Sequence, residues 1–361
     1  MKHFSCAIAA QQAKEDPIGT AGHYQTYVLI ECPMPWQAHV FDSNHIPAAL
    51  RHYIQATKRD NSIQFLGINR GTAARHAHTT LLIYQQTHLP TSPFSNETPI
   101  SPVDARRKIY ASDRFINQYH GFEYQLESLD QVVPCLQAHW RNQQLGQHTT
   151  AYPNQPIVKR DILVCTHGMR DRCCARFGQP LFRDARHLSE QGQLPDTRIW
   201  QASHIGGHRF APTAITLPDG RYYGHLSIPV LQAAITRSGD ISLLHATYRG
   251  WGLLPRPLQV LEKKLLLSQN WPWLNNKVAY RLLTLPATNH PSESSHIYAE
   301  FTIKQTDGTL VTHRAQLIRE THPSYCIKTS CSDTSPSALY KYAIAKHNVV
   351  QQLRPAVTAH H

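Results

Sequence analysis

The chain has no apolar run approaching the about eighteen residues that a membrane-crossing helix needs, so a bilayer-spanning protein is excluded. Its N-terminus carries one lysine ahead of a short apolar patch and then turns polar, too little for a secretory signal. Cysteine is sparse: 8 in 361 residues, two of them adjacent, do not make a disulfide framework, and a reducing, cytoplasmic setting is expected. Despite a net charge of +12, lysine and arginine never form a run of five and no nucleic-acid-binding module can be read, so nucleic acid is not an expected partner. What is present, 41% hydrophobic residues over this length, suffices for real cores in two or three domains.

Four borderline-to-soft metal donors stand in two close pairs: Cys165 and Cys174 with eight residues between them, then His204 and His208 with three. Each pair follows an apolar β-like run, Asp161 to Val164 and Arg198 to Ala202. A strand end is where a fold can hold donors rigidly while freeing them from the sheet ladder. Twenty-nine residues separate Cys174 from His204, the length of a β-α-β crossover, with a helix over Cys174 to Leu188. Gly206 and Gly207 inside the His pair argue for a loop. A helical zinc-protease pair is therefore a poor fit, and its glutamate position is Ile205. A Rieske centre lacks the second half of its signature after both Cys173 and Cys174. A tetrahedral Cys2His2 zinc site uses the same four donors and remains an alternative. A thiol oxidoreductase acting through Cys173 and Cys174 is weak, because redox pairs place two residues between their cysteines.

The segments CTHGMRDRCCA (165–175), SHIGGHRFAPTAI (203–215) and LPDGRYYGHL (217–226) resemble the sucrase/ferredoxin-like family. EDPIGTA (15–21), VLIECPMPW (28–36) and YRGWGLLPRPLQVLE (248–262) are similar to its flanking segments. The resemblance implies a thioredoxin-like ferredoxin module holding one 2Fe–2S cluster through two Cys and two His. It places Cys165, Cys174, His204 and His208 on the ligand positions, Cys174 being chosen over Cys173 on spacing. The implied role is electron transfer to or from a redox partner protein rather than hydrolysis. Two imidazoles in place of thiolates should raise the potential, and their free nitrogens could couple electron to proton uptake. If each pair holds one iron, the His iron is the electron exit. The family name also carries sucrose cleavage, which needs two carboxylates flanking a glycosidic bond, and no such pair stands out. Arg170, Arg172, Arg176 and Arg209 near the ligands would attract an acidic partner or pair with Asp171 and Asp184.

The fold class expected is α/β: an N-terminal α/β domain over 1–150, the ferredoxin module over 155–240, and a C-terminal helix with a small antiparallel sheet over 241–361. In the first part Thr26 to Glu31, Ile63 to Ile68 and Thr79 to Tyr84 read as strands, and Ile46 to Thr57 and Leu126 to Trp140 as helices. Cys32 follows a strand without a second cysteine nearby and is expected to be structural. Ser92 to Val103 reads as a loop and Asn142 to Pro156 as a polar linker. In the module, Ala214 to Leu217 and Arg221 to Leu226 flank the Pro218-Asp219-Gly220 turn, and Pro229 to Thr236 closes it as a helix. Beyond it, Pro257 to Ser268 reads as a helix, then Val278 to Leu285, His296 to Lys304 and Leu310 to Ile318 as antiparallel strands around an Asp307-Gly308 turn. Cys326 and Cys331 are expected to be structural, and His360-His361 a tail.

Overall fold

The computed structural model describes residues 4–57, 60, 62–71, 78–86, 108–145, 152–153, 155–157, 159–284 and 296–353. The first half opens with helix α1 (Cys6–Gln12), followed by strand β1 (Thr26–Glu31), helix α2 (Ala48–Thr57) and strand β2 (Ile63–Asn69), which lies parallel to β1. Strand β3 (Thr79–Gln86) runs antiparallel on the other side of β1. Strand β4 (Lys108–Ile116) leaves for a second sheet, and β5 (Tyr119–Leu126) returns beside β3 before helix α3 (Val132–Leu145).

The second half repeats that pattern. After a short edge strand β6 (Gln155–Pro156) come β7 (Arg160–Cys165), α4 (Arg172–Glu190) and a parallel β8 (Thr197–Ala202). Then β9 (Ala214–Leu217) lies antiparallel to β7, β10 (Arg221–Tyr223) pairs with β9, and helix α5 (Ile228–Thr236) precedes β11 (Tyr248–Trp251). The two halves meet edge to edge, Ile68 opposite Ala202 and Asn69 opposite Gln201, giving one 10-stranded sheet in the order β11-β10-β9-β7-β8-β2-β1-β3-β5-β6.

Helix α6 (Arg256–Gln269) leads to an antiparallel sheet of β12 (Lys277–Thr284), β13 (His296–Lys304), β14 (Leu310–Arg319) and β17 (Tyr342–Leu353), with β4 on its far edge. The small pair β15 (Tyr325–Ile327) and β16 (Ser337–Leu339) lies between β14 and β17 in sequence. Hydrogen-bonded strands thus cross the positions near 150 and 240, β2 with β8 and β4 with β12.

Strand periodicity decides the cores. Tyr27 and Leu29 of β1 face one apolar cluster with Leu82 and Tyr84, while Val28 and Ile30 face another with Leu81 and Ile83. A central strand covered on both faces reads as a continuous apolar run, as TYVLIE does. Asp161 at the start of β7 is fully buried yet bound by Arg198 (2.7 and 2.8 Å), Trp200 Nε1 (2.7 Å) and the Tyr84 hydroxyl. Arg198 also reaches Glu123 at 2.6 Å. Tyr84 and Glu123 belong to the first half, so this paired buried charge fastens the halves together.

Three expectations change. Leu126 ends β5 rather than opening a helix, because Tyr119 to Leu126 alternates buried and exposed as a strand does, and the helix begins at Val132. The strand from Arg221 stops at Tyr223, since His225 takes a left-handed backbone (φ 48°) that a ladder does not accommodate. In the linker stretch, α3 continues to Leu145 and Gln155–Pro156 joins the sheet edge. The 92–103 loop and the terminal His360-His361 lie outside the described residues.

Burial pushes the imidazoles of His139 and His313 down to about 4. Both are therefore neutral in the folded chain where their unfolded counterparts, near 6.5, begin to charge. Stability they contribute is present above about pH 6.5 and is lost as pH falls toward 4. Urea unfolding at pH 7.0 and 5.0 should show a lower midpoint at pH 5.0, with the loss reduced in a His139→Gln, His313→Gln variant; an equal loss in that variant would assign the acid sensitivity elsewhere.

Candidate metal centre

The candidate centre is assembled at the ends of the parallel strands β7 and β8. Cys165 is the last residue of β7, and the chain then turns through Thr166–Arg170 to Asp171, whose carboxylate accepts from the Cys173 N–H at 2.9 Å and caps α4. Residues successive on a helix point about 100° apart, so Cys173 and Cys174 diverge. Cys174 Sγ joins Cys165 Sγ and a His204 ring nitrogen, all within 4.8 Å of one another, with Cys174 Sγ 3.7 Å from His204 Nδ1. Cys173 turns to Cys6 and Cys331 instead.

Two glycines make this approach feasible. A Cβ on Gly178, nearly two turns into α4, would sit 2.0 Å from the Cys165 carbonyl oxygen, so only glycine lets the helix press on the strand end. Gly207 has φ +71°, and a Cβ there would meet the Arg249 guanidinium at 2.4 Å. Arg249, buried, donates to the Gly206 carbonyl (3.0 Å) and to the Thr20 carbonyl (2.8 Å), fixing the loop that carries both histidines. Burial lowers its guanidinium to about 10.

His208 lies outside the three-donor group. Its ring stands 5.1 Å from that of His204, edge to face, and its Nδ1 is 2.6 Å from Asp171 Oδ2. Nδ1 is buried there without a well-formed hydrogen bond. Burial opposes ionisation of Asp171, but His208 and the N–H groups of Cys331 and Cys173 outweigh it and hold the carboxyl well below the usual range. A hydrogen bond from the Cys174 thiol, aided by His204, likewise holds the buried Cys165 thiol well below its usual range, while Cys174 as donor is pushed up.

His167, which with Cys165 and Thr166 makes the first half of a Rieske signature, has both ring nitrogens engaged: Nε2 donates to the Gln37 carbonyl (2.7 Å) and Nδ1 accepts from the His204 N–H (3.2 Å). It positions His204 and is not free to bind metal. Cys32 follows β1 as Cys165 ends β7, but it is buried, its thiol is pushed up to about 12 by desolvation, and it lies in neither metal-competent group among the described residues.

Residues 17–250 match the sucrase/ferredoxin-like family, more than half of the chain and all four candidate ligands. The chain belongs to that family. No curated protein and no solved structure shows a significant match to it.

Beside the histidine loop of this sucrase/ferredoxin-like protein lies a cleft of about 550 Å³ lined in part by Gly207, Arg209, Arg249, Arg256, Arg319 and Lys341. Glu15 pairs with both Arg209 (2.8 Å) and Lys341 (3.0 Å), offsetting part of their charge. Arg256 and Arg319 are exposed on its rim, with no ion pair among the described residues. Asp171 is engaged by His208, Ser330 and the start of α4, so it does not serve as the partner of the nearby arginines. The sequence reading missed Gly178, Asp171, His167 and Arg249 as positioning residues. The histidine and the aspartate stand inside CTHGMRD, within reach of an argument from second-layer hydrogen bonds; nothing local marks the glycine or Arg249.

Proposed function

We propose that this protein is an electron carrier in which Cys165, Cys174, His204 and His208 hold a 2Fe–2S cluster. The convergence of Cys165, Cys174 and His204 within 4.8 Å, with the His208 ring next to His204, is the observation that carries the reading. The donor set fits: two buried thiols and two imidazoles are ligand types known for such clusters, and His208 Nδ1 faces Asp171, which would leave its Nε2 as the nitrogen for the metal. The order β8-β7-β9-β10, with a helix joining the parallel pair, supports a thioredoxin-like module. Bound there, the cluster would supply one-electron transfer.

The chain's own residues set the conditions. Cys165 already favours its thiolate, and Cys174 gives up its proton on binding. Neutral imidazoles replace two thiolate charges, so the potential is expected above that of four-cysteine plant-type ferredoxins. Asp171 and His167 restrain the rings of His208 and the backbone of His204, the supporting layer that fixes ligand orientation. All eight cysteines are free. Among the described residues no helix is long and apolar enough to cross a membrane.

The cationic rim beside the histidine loop suits an acidic redox partner. With reduced plant-type ferredoxin as an acidic probe, an Arg256→Glu, Arg319→Glu variant should accept electrons about tenfold more slowly at low salt, the gap closing as salt rises. A rate equal to wild type at low salt would place docking on another face. The reading itself is tested by the visible spectrum with iron and acid-labile sulfide analysis of anaerobically purified protein. About two irons and two sulfides per chain are expected; no sulfide, with zinc on these four donors, would replace the cluster with a Cys2His2 zinc site.

A further inference from the structure

A second group of donors lies on the far side of the α4 start. Cys6 from α1, Cys173 from α4 and Cys331 from the segment after β15 bring their sulfurs together at 3.5 Å (Cys6 to Cys173), 3.2 Å (Cys173 to Cys331) and 3.7 Å (Cys331 to Cys6). Asp171 Oδ1 stands 3.7 Å from Cys6 Sγ, and the four donors form one set within 4.8 Å. Cys173 is 167 positions from Cys6 and 158 from Cys331 in the chain. Such convergence of three thiols and a carboxylate has no account in packing alone, because burying polar sulfurs around an anion gains little.

We propose that Cys6, Cys173, Cys331 and Asp171 form a structural zinc site. In a tetrahedral zinc site with Zn–S of about 2.3 Å and Zn–O of about 2.0 Å, neighbouring sulfurs lie about 3.8 Å apart and sulfur and oxygen about 3.5 Å. The spacings found are near these values and well beyond the about 2.05 Å of a disulfide. Three thiols also cannot all be paired by one disulfide. A thiolate-rich tetrahedral set selects zinc over magnesium or calcium. On binding, each thiol still protonated releases its proton, and the ion with three thiolates and one carboxylate carries a net charge of −2.

The site would do structural work at a useful place. Cys6 and Cys331 both lie outside residues 17–250, so the set joins segments on either side of the family-matched core to it. It does so at the turn that presents Cys174 on one side and Asp171, the neighbour of His208, on the other. A metal cross-link between remote segments stabilises the folded form because the unfolded chain holds no such arrangement.

The test is metal analysis and zinc K-edge X-ray absorption on the full chain purified anaerobically, desalted after incubation with one equivalent of zinc sulfate. Wild type should retain about one zinc per chain, its first shell fitting three sulfurs near about 2.3 Å and one oxygen. Cys6→Ser and Cys331→Ser should each lose that zinc while keeping the wild-type iron content. Absence of zinc from wild type, a first shell of two sulfurs and two nitrogens, or zinc retained in both variants would overturn the site. The absorption measurement needs only the wild type, so a variant that fails to fold does not blunt the test, and its sulfur count separates this site from zinc on the Cys165 side.

Discussion

Cys174→Ala should purify with no more than traces of iron and sulfide, whereas Cys173→Ala should keep both near the wild-type level. The two residues are adjacent in sequence, yet the first turn of α4 sends them about 100° apart. Cys174 enters the group with Cys165 and His204, and Cys173 enters the group with Cys6 and Cys331. Losing the Cys174 thiolate would remove one of the four proposed ligands, with no spare thiol in that group to replace it. Losing Cys173 leaves those four in place and acts on the other set, so its metal phenotype should be in zinc. Iron and zinc measured on both variants by mass spectrometry decide the matter, and iron lost from Cys173→Ala but kept by Cys174→Ala would mean that the assignments are exchanged.

Gly178→Ala should cost both stability and iron. Its new Cβ would lie 2.0 Å from the Cys165 carbonyl oxygen and 3.0 Å from the carbonyl carbon. Backbone cannot swing aside as a side chain can, so α4 must lift from the end of β7. Overpacking of this kind costs about 1–3 kcal/mol. More telling is the direction of the shift, which carries Cys174 away from Cys165. Denaturant unfolding should therefore show a lowered midpoint, together with an iron content well below wild type; a Gly178→Ala protein with full iron and unchanged stability would show that the close approach is not needed.

How much of this was legible beforehand depends on the range of the interactions. Strands β1, β3, β7, β8 and β13 could be read from apolar runs, and α2, α4, α5 and α6 from period and turn signals, because these are local. The four candidate ligands stood out through spacing and through the family resemblance, and three of them converge. The remainder is set by contacts between distant segments. The joining of the two halves, Ile68 of β2 opposite Ala202 of β8, is one such contact. Strand β4 lies far in sequence from its partner β12, and β17, mostly exposed, has no regular apolar alternation to mark it. Cys326, the cysteine nearest to Cys331 in sequence, is exposed, and the thiols beside Cys331 are those of Cys6 and Cys173. Proximity in sequence gives no sign of that grouping, which joins three separate segments.

Pulsed electron paramagnetic resonance of the dithionite-reduced full-length protein bears most directly on the proposed ligation. The account predicts a paramagnetic 2Fe–2S signal with coupling to two imidazole nitrogens, one of which disappears in His204→Cys and the other in His208→Cys. A reduced protein with no such signal, or a signal without nitrogen coupling, would contradict it.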